Sequence, residues 1–251
     1  MGKRMDRKKQ AEAVAEAFAA DFLAETTASA IFIGSHIERI LASKANVIYQ
    51  YVEDPTYYGA AVSHESGTQF IALNTFHSLR VRYFTAAHEL WHLSEASQLQ
   101  DEHFDHERAA DRFAAAIMLP KAIMKDLWLQ FKKLYEPKES VILIADFSEV
   151  PYEAVVRRLK ELGISLSGIS FTEEEWKNER VKLDLSESTL DVSQRLERFT
   201  AYERVVEEAL ENGVVDSLGA SHKLKKYNSQ LAKKLQEQEM KRVAEAEQHE
   251  T

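Results

Sequence analysis

Two histidines four residues apart, with a glutamate directly after the first, form the segment of this 251-residue chain best suited to chemistry: His88-Glu89-Leu90-Trp91-His92. On a helix, positions four apart project from one face, about one turn from each other. Two imidazole nitrogens at that spacing can reach one Zn²⁺ at about 2.0–2.1 Å. A carboxylate next to the first ligand can reach the ion's water without ligating the ion. The H-E-x-x-H pattern therefore predicts one zinc per chain on His88 and His92, with Glu89 as general base. A catalytic zinc also needs a third protein ligand and one open position. There is no cysteine, which excludes thiolate ligands, disulfides and cysteine nucleophiles. Glu95 and Gln98 stand where the longer H-E-x-x-H-x-x-G-x-x-H motif requires Gly and His, so that arrangement is excluded as well.

The remaining common solution is a carboxylate from a following helix, and Asp101–Pro120 supplies candidates. Glu107 and Asp111 are four apart and share a helical face, with Ala110 and Ala114 leaving room for close approach. Glu107 is expected to complete the metal site. Asp111 is expected to accept a hydrogen bond from the second ring nitrogen of a ligating histidine, which fixes that ring. His103 and His106 stay open as alternative ligands or as transition-state stabilisers. In the strand expected before the first motif, Phe70, Ala72 and Asn74 are candidates to align an extended substrate through backbone hydrogen bonds, with ordinary sheet packing as the other reading. Trp91 reads as core rather than as a pocket lining.

Elements must deliver these side chains, and the patterning predicts them. Residues 7–25 read as an Ala-rich amphipathic helix with Val14, Phe18 and Phe22 on one face, and Ser35–Ala45 as a second helix after Gly34. The period then changes: Val47–Val52, Gly59–Ser63 and Thr68–Asn74 read as strands, the last two joined by a turn at Glu65-Ser66-Gly67. Ser78 is expected to cap a helix running to about Ala96, followed by helices at Asp105–Met118, stopped by Pro120, and Lys121–Tyr135. Val141–Phe147 and Tyr152–Leu162 form a helix–turn–helix pattern ending at Gly163. Val192–Leu210 reads as one amphipathic helix, and Lys223–Glu250 as a Lys/Glu/Gln-rich helix or solvated tail.

The segments NTFHSLRVRYFTAAHELWHL and HERAADRFAAAIMLP together resemble the ImmA/IrrE family of zinc metallopeptidases. Glu107, Ala110, Asp111, Phe113, Ala114, Ala115 and Pro120 occupy the second motif, with Met118-Leu119 where Leu-Met is commoner, and the resemblance spans about residues 35–163. It implies a gluzincin-like core with zinc on His88, His92 and Glu107, and Glu89 as base. It also implies a place in the cytoplasm of bacteria or their mobile elements, and cleavage of a helix–turn–helix repressor or antitoxin, which switches on the genes that protein silences. The fold class expected is α+β: a mostly helical zincin-like core with a small β-sheet, then a helix–turn–helix-like unit and a helical C-terminal region. The segments expected are an N-terminal helix (1–34), the zincin-like core (35–135), the helix–turn–helix-like unit packed on it (136–165) and a charged C-terminal region, helical or partly disordered (166–251).

Composition bounds the alternatives. With 29% charged residues, a net charge of −9 and no long apolar run, the chain reads as a soluble, acidic, cytoplasmic protein without a membrane span. A rival reading makes it a non-proteolytic regulator whose core and residues 141–162 bind DNA or a partner protein. Arg157, Arg158 and Lys160 would then contact phosphates or bases. Glu153 and Glu161 share that helix, so a scaffold or repressor-docking role is the expectation favoured. The protein partner expected is a helix–turn–helix repressor encoded nearby.

Overall fold

The computed structural model describes residues 2–27, 31–166 and 168–249. Residues 1 and 28–30 of the expected N-terminal segment, and 167, 250 and 251 of the C-terminal one, lie outside the described residues. Helix α1 (Gly2–Thr27) leads through a short 3₁₀ turn (Gly34–His36) into α2 (Ile37–Lys44). Three strands follow, β1 (Asn46–Gln50), β2 (Gly59–Ser63) and β3 (Gln69–Asn74), and then α3 (Leu79–His92), α4 (Glu95–Gln98) and α5 (His106–Met118). Next come α6 (Lys121–Phe131), α7 (Pro137–Ser148), α8 (Tyr152–Glu161) and α9 (Glu173–Lys182), a second 3₁₀ turn (Thr189–Asp191), β4 (Arg198–Phe199), α10 (Thr200–Glu211), α11 (Ser217–Leu224) and α12 (Ser229–His249). The fold is α+β and mostly helical, as the patterning predicts, and no described helix is long and apolar enough to cross a membrane.

The sheet runs in the order β2-β3-β1-β4. β2 and β3 form the expected antiparallel hairpin, β1 pairs parallel with β3 (Ile48 opposite Ala72), and β4 adds an antiparallel pair with β1. β3 therefore has partners on both sides. Its alternate residues Ile71 and Leu73 are fully buried against the helical layer, which is what a central strand requires.

Small residues bring the site helices together. Ala11, Ala15 and Ala19 of α1 face α5, whose own Ala110 and Ala114 are fully buried, so the two backbones approach closely. Phe18 stacks on Phe113 with ring centroids 5.3 Å apart, and Phe22 meets the same ring edge-on. Trp91 of α3 is fully buried beside Phe18, Phe104 and Phe113, in agreement with its reading as core. One apolar cluster runs from α1 through α3, α5, α7 and α8 to Trp176 of α9, and a second, small one joins α10, α11 and α12 through Val206, Ala220, Leu224 and Ala232.

Several boundaries differ from expectation; α6 ends at Phe131 rather than Tyr135, and α7 begins at Pro137 rather than Val141. α3 ends at His92 rather than near Ala96, because Ser94 turns extended and caps a separate short helix by accepting from the Ser97 amide. Ser78 starts α3 without a side-chain capping bond; its backbone instead pairs with Ser193. Residues 192–199, expected as helix, run extended across the start of α3 and along β1, and helix begins only at Thr200. Of Lys223–Glu250, expected as a helix or a solvated tail, Ser229–His249 is helical as α12, while Lys223 and Leu224 end α11.

Candidate metal centre and its cleft

α3 and α5 place His88, His92 and Glu107 on facing surfaces. The His88 and His92 Nε2 atoms are 3.3 Å apart, and each stands 3.4 Å from a different oxygen of the Glu107 carboxylate. Donors about 2.0–2.1 Å from a tetrahedral centre are separated by about 3.4 Å; the two imidazole nitrogens have that spacing, and one atom of each of the three residues lies within 4.8 Å of the others. Among the described residues these three form the only group of histidines and acids close enough to hold a metal. Glu107 is largely exposed while the two imidazoles are three-quarters or more buried, so the site opens to solvent on the α5 side.

Asp111, one turn after Glu107, has Oδ1 3.2 Å from His88 Nδ1. With that carboxylate accepting at Nδ1, the His88 Nε2 lone pair is left free for a metal. Burial works to lower the His88 imidazole, but the Asp111 hydrogen bond and the charges of Glu89, Asp111 and Glu107 outweigh it and the ring is held above its ordinary range. His92 is pushed down, by burial and then by the neighbouring His88. Asp111 is held low despite its own burial by the hydrogen bond and charge of His88, with Arg157 adding to this.

Glu89 is buried, and that burial, reinforced by the Glu107 charge, pushes its carboxyl up; the neighbouring His88 and a hydrogen bond from the Ala61 amide pull the other way. That amide belongs to β2. Bonds from His64 N to Thr68 O and from Asn74 N to Tyr58 O put the even-numbered residues of this strand in the bonded pairs. Gly59, Ala61 and Ser63 thus turn their backbone groups to the open edge beside Glu89. Gly59 is what permits this approach: a Cβ there would stand 2.8 Å from the Ala72 carbonyl and 2.9 Å from Thr85 Cγ2. A glycine inside a strand is a signal of close backbone approach, and neither it nor Ala61 was a sequence candidate.

These positions correct the expectation for the substrate strand. Phe70, Ala72 and Asn74 lie on β3, whose two edges are already paired with β1 and β2, so no further strand can add there. Asn74 is instead a buried brace for the loop before β2: its amide nitrogen donates to the Val52 and Tyr57 carbonyls and its oxygen accepts from the Val52 amide. The open edge next to the metal triangle is β2.

Neither His103 nor His106 joins the three-residue group, although the His106 charge helps to lower His92. His103 is exposed beside Glu102, and His106 has Nδ1 3.2 Å from Ser97 Oγ with its ring edge-on to Phe104. The cleft, about 540 Å³, is walled by Tyr57, Tyr58 and Gly59 on one side and by Pro151, Glu153, Ala154 and Arg157 of the helix–turn–helix-like unit on the other, with Glu173 of α9 at its rim.

That wall explains why α8 is not a free recognition helix. Tyr152, Val155, Arg158 and Leu159 are buried; Arg158 donates to the Leu119 carbonyl and pairs with Glu16. Lys160 reaches the Ile169 carbonyl, and Arg157 turns toward Asp111. Of the three basic side chains that a DNA-reading surface would use, Arg158 is thus committed to the protein interior, while Lys160 and Arg157 make single contacts of 3.4 Å. Glu149, in the tight turn between α7 and α8, takes the left-handed conformation (φ 57°) usually given to glycine.

A helix carrying H-E-x-x-H behind a free sheet edge, with an acidic residue of the next helix closing a three-donor triangle, defines the class: a zincin-type metallopeptidase scaffold. Residues 42–160 match the family model Peptidase M78, described as the IrrE N-terminal-like domain. Residues 42–160 thus form a domain of the ImmA/IrrE family, which is of zinc metallopeptidase type. No curated protein matches the chain.

Proposed function

We propose that the protein is a zinc-dependent endopeptidase that hydrolyses a peptide bond in a protein substrate, with His88, His92 and Glu107 as the ligands. The observation that carries this reading is the convergence of His88, His92 and Glu107, with one ligand atom of each within 4.8 Å of the others, beside the buried Glu89 carboxylate. When bound, the ion supplies a Lewis acid and an acidified water at near-neutral pH. Glu89 takes the proton of the attacking water and delivers it to the leaving amine nitrogen. Asp111 fixes the His88 ring, and the open amides and carbonyls of β2 pair with the substrate backbone in an extended conformation.

The substrate proposed is a helix–turn–helix repressor or antitoxin encoded nearby, cleaved in the cytoplasm of a bacterium or for one of its mobile elements, so that silenced genes are switched on. This part rests on membership of the family alone. The test is Glu89→Gln, incubated with the neighbouring gene product with and without a chelator. Zinc stoichiometry is expected to stay at one, and cleavage to fall at least about 100-fold. A variant that keeps its zinc and its full effect on the repressor would overturn proteolysis as the function.

A further inference from the structure

The metal cleft is acidic on almost every side. Glu89, Glu107, Asp111, Glu153 and Glu173 line it, and Arg157 is the one arginine or lysine that does so among the described residues. Arg157 is about half exposed, and its recorded contact is a long one, Nη1 3.4 Å from Asp111 Oδ2. Asp111 in turn holds His88 through its other oxygen. The guanidinium therefore stands one carboxylate away from a triangle residue, on the wall opposite β2, with most of its five donors free of protein partners. An arginine kept purely for structure looks different in this chain: Arg80 and Arg158 are almost wholly buried and each binds several acceptors.

Resting on the endopeptidase reading, we propose that Arg157 is a substrate-binding residue, which donates to a main-chain carbonyl oxygen of the peptide next to the scissile bond and clamps it against β2. Asp111 aims the guanidinium by its charge, and the neutral backbone finds here the cleft's one cationic donor. A guanidinium N–H can donate to the single oxygen of a carbonyl presented in extended chain, and the residue comes from the helix–turn–helix-like unit rather than from the H-E-x-x-H motif or the helix after it. That unit thus serves as a wall of the substrate cleft.

The test uses the zinc-loaded full chain and two probes that are not cleaved. Acetohydroxamate engages the metal alone; a peptidyl hydroxamate with two uncharged residues adds the backbone carbonyls. Arg157→Ala is expected to weaken the peptidyl probe about 10- to 100-fold and Arg157→Lys less, with acetohydroxamate affinity, zinc stoichiometry and melting temperature unchanged. Equal weakening of both probes would mean that Arg157 acts on the metal through Asp111, and no weakening of either would mean that it binds no substrate; each result overturns the proposal. A parent chain that takes up no zinc, or binds neither probe, overturns the metallopeptidase reading and this proposal with it.

Discussion

At the scale of single residues, the contact that sets the proposed ligand geometry is the 3.2 Å approach of Asp111 Oδ1 to His88 Nδ1. Its loss leaves the ring free to turn and removes the negative charge that favours a cation nearby. Asp111→Asn is expected to lower zinc affinity about 10- to 100-fold while the far-ultraviolet circular dichroism stays unchanged, as read by competition with a chelating dye. Unchanged affinity would reduce Asp111 to a partner of Arg157. His88, Glu89 and His92 stand out in the sequence because helical geometry alone fixes their relation. Glu107 and Asp111 stand out because the next helix repeats the four-residue spacing. Arg157 lies 46 positions from Asp111 in a segment with its own, misleading pattern, and only tertiary packing decides which way that helix faces.

At the scale of elements, the joint between α8 and α9 shows how the cleft wall is fixed. The Glu153 amide donates to Glu173 Oε1 at 2.7 Å, and the Glu173 amide donates to Glu153 Oε1 at 3.0 Å, so each glutamate caps the other's helix start. Burial pushes the Glu173 carboxyl up to about 7, with the Glu153 charge adding and the backbone hydrogen bonds opposing. Between about pH 4.5 and 7 the unfolded chain has released this proton while the folded chain still holds it. Stability therefore falls with rising pH across that window. Glu173→Gln keeps the accepting oxygen and removes the titration. It is expected to be more stable than the parent, with an advantage about 2 kcal/mol larger at pH 8 than at pH 5 in urea melts. An advantage independent of pH would contradict the raised pKa. Strand existence was legible from the shift to two-residue periodicity at β1, β2 and β3, but strand order was not. A parallel β1–β3 pair with β2 outside is a non-local choice, and it alone decides that β2 and not β3 keeps a free edge.

At the scale of the whole molecule, the family match ends at residue 160, yet the start of the active-site helix is held by chain well beyond it. Arg80 of α3 is almost fully buried and donates to Asp191 at 2.6 Å, with Tyr152 closing the link through its own bond to the Asp191 carboxylate. The Leu79 amide donates to the Val192 carbonyl, and Thr75 exchanges bonds with Leu196. β4 pairs with β1, and Thr200 reaches the Val47 carbonyl. Residues 188–200 therefore form a strap across the helix and sheet that carry the site. Its extended form was not legible because Val192, Leu196 and Phe199 fit a helical stripe, and the sheet that recruits them lies more than 100 residues away in sequence. A chain ended at residue 165 loses the strap and the buried Trp176, leaving Arg80 without Asp191. Arg80 keeps Asp146 as a partner, but losing a fully buried tryptophan costs about 3–5 kcal/mol by itself, which is a large part of a typical domain's stability. A chain ended at residue 212 keeps the strap and gives up α11 and α12, whose small apolar cluster is separate from the main one. The expected outcome is a cooperative thermal transition and one zinc for the 212-residue chain, and neither for the 165-residue chain. Equal cooperativity in the two would show that the matched domain holds its helix without the strap.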